Sequence, residues 1–441
     1  MDDPTEPTRQ THTAITAVWR VESARLLGAL VRLVRDVELA EDLAQDALVA
    51  ALQRWPEQGI PDRPGAWLLA TAKNRALDRL RHRRMSETKL ASIARDPSEE
   101  SLVPNDTTYE DELHERLDGD VGDDVLRLIL VACHPVLGAD ARVALTLRLV
   151  AGLTTEEIAR AFLVPEPTIA QRIVRAKKTL GAAQVPFEVP RGDALTERLS
   201  SVLEVIYLIF NEGYSATAGA DWMRTELCEE AMRLGRVLTQ RVEDSEAHAL
   251  VALMELQASR FRARRGPRGE PVLLMDQDRS RWDAMLIGRG LAALARAERL
   301  AASCSKALGP YALQAAIAAC HARARRAETT DWERIVVLYD ALVEITGSPV
   351  VELNRAVAVS MAVGPELGPE AALALVDELA NDPVVGPSLR GYHLLPSVRA
   401  DFLRRLGRRD EAATAYRAAA ELTQNETERT MLLARADEMQ R

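Results

Sequence analysis

The sequence predicts an all-α protein. Three observations carry this: aromatic residues make up only 4% of 441 residues, alternating runs of β-branched residues are nearly absent, and apolar residues recur at i, i+3 and i+4 along most of the chain. The length suits two to four domains, and 47% hydrophobic residues suffice for several cores.

From about Thr13 to Arg84 the periodicity appears in Ala24, Leu27, Leu30, Val31 and Val34, again in Leu43, Ala47, Ala50 and Ala51, and again in Trp67, Leu68, Thr71 and Ala72. That pattern predicts at least three packed helices. Between the last two, Trp55 to Gly65 holds three prolines and two glycines, which predicts a shaped loop. The acid-rich stretch 86–124, poor in large apolar residues, reads as a mostly extended linker with some local helix. Periodicity resumes in a block over 125–182, and the segment 191–441 is helical in pattern throughout, broken by the basic loop Arg262 to Gly269.

The second block reads as a helix-turn-helix. Thr154 is an N-cap and Glu157 completes a capping box. Leu163-Val164-Pro165 ends that helix, and Pro167 suits the first turn of the next. Small Ala159 sits where two helices cross, and Ile169, ten residues on, plugs the space beneath the second helix. Ile169, Ile173 and Ala176 share its back, while Gln171, Arg172, Arg175 and Lys178 face forward, as a helix entering a major groove requires.

The formal net charge of −10 argues at first against nucleic acid, since phosphate neutralisation drives that binding. The distribution reverses the argument, because Lys73 to Arg84 is a dense basic strip with one acid in it. Cys133, Cys228, Cys304 and Cys320 form no C-x-x-C pair, so reduced thiols are expected, with neither disulfides nor a metal site. Apolar runs such as Val202 to Phe210 are too short to cross a bilayer and the N-terminus has no signal-like apolar stretch, so no membrane association and a cytoplasmic location are expected. Phosphate-loop, dinucleotide, nucleophile-elbow and zincin motifs are all missing, which predicts a non-enzyme without cofactors.

Ala40-Glu41-Asp42-Leu43-Ala44-Gln45-Asp46-Ala47 and Pro64 to Arg81 closely resemble region 2 of extracytoplasmic-function sigma factors, and Leu145 to Arg148, Gly152 to Thr154, Glu157 to Ala159 and Thr168 to Lys177 resemble their region 4. Pro167 and Ala170 depart from the usual residues there. The resemblance implies a region 2 bundle over 13–85, a region 4 helix-turn-helix over 125–182, and core RNA polymerase and promoter DNA as partners. It assigns Asp42, Leu43, Gln45 and Asp46 to the clamp coiled coil of polymerase. Trp55, Lys73, Asn74, Arg75, Arg79 and Arg81 go to the −10 element, captured as double- then single-stranded DNA. Thr168, Gln171, Arg172, Arg175, Lys177 and Lys178 go to the −35 duplex, beside the polymerase flap. Trp67 reads as core.

Leu203 to Tyr214 resembles the start of a long C-terminal extension found in one sigma subgroup, and Ala400, Leu406-Gly407, Ala412, Tyr416 and Ala419 reproduce tetratricopeptide spacing. A degenerate second repeat spans Val351 to Val376. The expected role is regulation in cis, through an intramolecular contact or a regulatory protein. Two alternatives stay open: a helix-turn-helix regulator acting without polymerase, and a tetratricopeptide-type interaction protein.

Overall fold

In a computed structural model, residues 6–93, 121–162, 164–215, 223–267, 271–364, 367–423 and 425–440 are described. Every extended regular element among them is a helix, and the one β-bridge pairs Arg265 with Pro271.

Three long helices, α1 (Glu6–Val34), α2 (Val37–Gln58) and α3 (Pro64–Ile93), pack on one another. The reversal between the first two is set by Arg35 at φ 54° and by Asp36, whose carboxylate accepts from the N–H groups of Glu38 and Leu39 at 2.9 and 3.1 Å. Leu27, Leu30, Val31, Leu43, Ala47, Ala51, Leu68 and Ala72 are buried, as their periodicity predicts. Each large side chain among them contributes about 1.5–3 kcal/mol by leaving water.

The expected loop from Trp55 to Gly65 is shorter than predicted. α2 runs through Pro56 to Gln58, because Pro56 falls in its last turns, where a missing N–H costs one bond only, and Gly59 at φ 82° then closes the helix onto the Trp55 carbonyl. The irregular connection is Gly59 to Arg63.

The expected linker 86–124 is trimmed at both ends, though residues 94–120 lie outside those described. α3 continues to Ile93, and α4 (Val121–Ala132) already holds Asp124. That carboxylate is fully buried, accepting from Arg32 at 3.0 Å and Arg127 at 2.8 Å. α1 and α4 cross so closely at Gly28 that a Cβ there would lie 2.8 Å from the Asp124 carbonyl. Counting acids finds solvated carboxylates and buried, paired ones alike.

α5 (Ala139–Leu149), α6 (Thr155–Phe162) and α7 (Glu166–Ala182) form the helix-turn-helix. The capping box is made as expected: the Thr154 N–H donates to Glu157 at 2.8 Å, and the Glu157 N–H donates to the Thr154 hydroxyl at 3.1 Å. Leu163 lies outside the described residues.

The chain divides into two compact units between Val205 and Ile206, inside α8 (Asp193–Tyr214), rather than at residue 191. The reason is local. Arg198 donates to the Leu130 carbonyl, Ser201 to the Cys133 carbonyl, and Arg142 reaches Ser201 and Glu204, so the first turns of α8 belong with α4 and α5.

The second unit continues with α9 (Thr225–Thr239), α10 (Ser245–Ala258), α11 (Ala284–Ser303), α12 (Pro310–Arg323), α13 (Trp332–Thr346), α14 (Pro349–Met361), α15 (Pro369–Asn381), the single turn α16 (Gly386–Leu389), α17 (Leu394–Arg405), α18 (Arg409–Leu422) and α19 (Glu426–Glu438). Neighbours in sequence pack as pairs. Gly407 at φ 75° turns α17 into α18, and Ala400, Ala412, Tyr416 and Ala419 are all buried between them. Leu353, Ala356, Ala372, Leu373 and Val376 of α14 and α15 join the same core, as the second-repeat spacing predicts. At Gly213 a Cβ would lie 2.7 Å from the Arg224 carbonyl and 2.8 Å from Cys228, so glycine is what lets α8 and α9 meet.

Candidate nucleic-acid interface

The helix-turn-helix positions α7 by its back. Ile169, Ile173, Ala176 and Leu180 are buried against α5 and α6, which leaves Gln171, Arg175 and Lys178 exposed on the opposite side. Thr168 is half-buried in the first turn. Arg172 leans on Asp140 at 3.1 Å, an exposed pair worth little against competing phosphate. Lys177 points elsewhere.

Its ammonium meets Glu41 of α2, a carboxylate only 7% exposed, which also accepts from Arg148 Nε at 2.8 Å and Gln45 Nε2 at 3.4 Å. Arg148 further donates to the Leu153 carbonyl. One buried anion thus ties α2 to the end of α5 and to α7. Sequence reasoning missed Glu41 in this role; the available signal is an acid on the buried flank of α2, next to Ala40 and Ala44.

On α3, Asn74 and Arg81 are exposed and Lys73 is half-buried. Arg75 and Arg79 reach Asp46 of α2 at 3.5 and 3.7 Å, so two residues assigned to DNA share a partner assigned to polymerase. Asp42 and Gln45 are exposed on α2. Two of the sequence-predicted site residues lie in the core of the first unit instead of on its surface. Leu43 is fully buried, because it occupies the apolar stripe of α2, and Trp55 is 2% exposed with its ring 5.4 Å from that of Trp67 at 66°. Trp55 joins Trp67 in the core, since α2 extends past it. The side chains of His82, Arg83 and Arg84 lie outside those described.

Cys133, just after α4, is buried, its thiol 3.2 Å from the Thr146 hydroxyl and pushed up to about 12 by that burial. Among the described residues no helix is long and apolar enough to cross a membrane, and no group of three His, Cys, Asp or Glu is placed to hold a metal ion.

With this geometry in place, residues 20–85 match the family described as Sigma-70 region 2, and residues 127–180 match Sigma-70, region 4. Residues 198–298 match a family of unknown function, DUF6596. An uncharacterized protein of Rhizobium meliloti (strain 1021) is 45% identical over 415 residues, 94% of this chain and 93% of that one. The probable ECF RNA polymerase sigma factor SigI of Mycobacterium tuberculosis is 28% identical over 40% of this chain and 58% of its own length. The RNA polymerase sigma-H factor of Pseudomonas aeruginosa is 27% identical over 37% of this chain and 82% of its own. No solved structure matches.

Proposed function

Because the chain belongs to the extracytoplasmic-function type of the sigma-70 family and carries a long C-terminal extension, we propose that it binds core RNA polymerase and directs initiation at specific promoters. In this reading Asp42 and Gln45 on the exposed side of α2 meet the clamp coiled coil, offering acceptors to a basic surface. Gln171, Arg175 and Lys178 enter the −35 major groove, with Thr168 and Arg172 at its edge and the region 4 fold beside the flap. Lys73, Asn74, Arg75, Arg79 and Arg81 track the −10 element, where Asn74 offers amide donors and acceptors to an unstacked base.

The observation that carries the reading is the opposition on α7: a fully packed apolar back behind exposed Gln171, Arg175 and Lys178, in one compact unit with an α2 whose exposed side is acidic and amide-bearing. An acidic chain with small basic faces is suited to binding DNA as a subunit of a larger complex. Its extension regulates it in cis, with no role as a separate enzyme.

The test is transcription from duplex templates by core enzyme with and without the purified chain. Initiation should need both and fall at least tenfold with Arg175→Ala. A chain ended after Val205 tests the extension. Ending at residue 191 removes Arg198, Ser201 and Glu204 from the first unit and confounds loss of regulation with loss of fold. Unchanged activity and regulation in the shortened chain would sink the regulatory part alone.

A further inference from the structure

The second unit gathers guanidinium groups and aromatic rings from four places in the chain. Tyr214 ends α8, Arg260 and Arg264 follow α10, Arg279 and Trp282 precede α11, and His321 lies in α12. Arg264 lies over the Tyr214 ring at 3.6 Å and donates to the Tyr214 carbonyl at 2.6 Å. Arg260 donates to the Tyr214 hydroxyl and sits 5.7 Å from that ring and 5.9 Å from the ring of Trp282. Arg279 sits 5.1 Å from the same Trp282 ring and donates to the His321 and Ala324 carbonyls and the Thr330 hydroxyl.

The acceptors around Arg260 and Arg279 are thus neutral oxygens and ring faces. Neither has a carboxylate within 4 Å among the described residues. Glu328 acts on Arg279 only from further off, and Glu428, which acts on Arg264, is engaged with His393 at 3.2 Å. Burial together with Arg260 and Arg279 keeps His321 uncharged, down to about 3, so it adds no cation and no counter-charge. Partly buried cations without a carboxylate partner are costly, and crowding them is more so.

The unsatisfied atoms point the same way. Nε of Arg260, Nε of Arg279 and Nε1 of Trp282 are buried without a hydrogen-bond partner, as is Nδ1 of His321; Trp282 and His321 are themselves 7% and 8% exposed. The first three are obligate donors. Trp282 also lines a cleft of about 780 Å³ whose wall carries Arg262, Arg265 and Arg281 against one carboxylate, Asp283, which caps the first turn of α11 at Met285 and Leu286; Phe261 lies beside them. Three guanidiniums against one engaged carboxylate disfavour a cation there, and an apolar ligand leaves the donors unmet. A small anion with several oxygens meets the donors and the charge together.

We propose that this cluster, most of it inside the stretch matching a family of unknown function, binds a small oxyanion-bearing molecule, a carboxylate or a phosphate, held by Arg260, Arg279 and the indole N–H of Trp282. The site gives the extension an input of its own. It stands apart from promoter recognition and is measured with neither DNA nor polymerase present.

The experiment is calorimetric titration of the full-length chain with inorganic phosphate and, separately, with malonate, alongside the thermal midpoint in each. One of the two should bind saturably with one-to-one stoichiometry and raise the midpoint, phosphate alone naming the phosphate class and malonate alone the carboxylate class. Arg260→Gln should weaken that binding at least tenfold. Trp282→Phe keeps the ring against both guanidiniums and removes only the N–H, so it should fold and weaken binding several-fold. Absence of saturation by either probe at about 10 mM would overturn the proposal, as would undiminished binding in a folded Trp282→Phe chain.

Discussion

Glu41→Gln removes one negative charge and almost no volume from the point where α2, α5 and α7 meet. The lost charge faces Arg148 Nε at 2.8 Å and the Lys177 ammonium, with side chains 10%, 23% and 15% exposed in the order Glu41, Arg148, Lys177. At an effective dielectric of about 20, one such pair is worth roughly 6 kcal/mol before desolvation. Desolvation cancels much of that, and the net cost of leaving two half-buried cations without their anion is about 2–4 kcal/mol. Hydrogen exchange on the full chain reads this directly. Peptides of α2 and α7 should exchange roughly 30- to 1000-fold faster, while those of the second unit keep their protection. Lys177 is released at the same time, so binding to duplex DNA should steepen in salt dependence by about 0.9 in log–log slope. Exchange in α2 and α7 within about threefold of the unaltered chain, with an unchanged salt slope, would refute the reasoning that Glu41 joins the helix-turn-helix to the first helices.

Gly213→Ala puts a methyl group 2.7 Å from the Arg224 carbonyl, a backbone atom that cannot swing aside, and should lower the thermal midpoint of the second unit by several degrees, about 1–3 kcal/mol. In native-state alkylation at pH 8 followed by mass spectrometry, exposed Cys304 should react first, while buried Cys133 and Cys228, whose thiols burial pushes well above the usual range, stay protected until unfolding. His321 binds a proton below about 6.5 when unfolded but only near 3 when folded, so its contribution lowers stability as pH falls through that window, by ~1.4 kcal/mol between pH 7.5 and 5.5. Urea unfolding at the two pH values should show that loss, and His321→Leu should remove it from the difference.

The helices and their buried faces were legible because each carries its own period. The Ile169, Ile173, Ala176 back of α7, the Thr154 capping box and the Ala412, Tyr416, Ala419 spacing were read from single segments and stand as read. What escaped depends on partners distant in sequence. Asp124 looks like any acid in an acidic stretch until Arg32 is brought to it, and Glu41 looks solvated until Arg148 and Lys177 arrive. Trp55 was placed in a loop because three prolines and two glycines follow it within ten residues, yet the first of them, Pro56, falls in the last turns of a helix, where it is tolerated, and the ring went to the core. The arginine and aromatic cluster shows the same limit: Arg260 and Arg264 stand beside a loop read only as a helix break, while Arg279 and His321 join them from elements far along the chain.

The most direct test of the account is start-site mapping of transcription by core RNA polymerase on a pool of promoter fragments, with the purified chain, with Gln171→Ala and with Asn74→Ala. Discrete start sites that need both chain and core enzyme are expected, with weakened selectivity upstream in the first variant and impaired opening in the second. Tight specific binding to duplex DNA by the chain alone, with no start sites added to core enzyme, would contradict it.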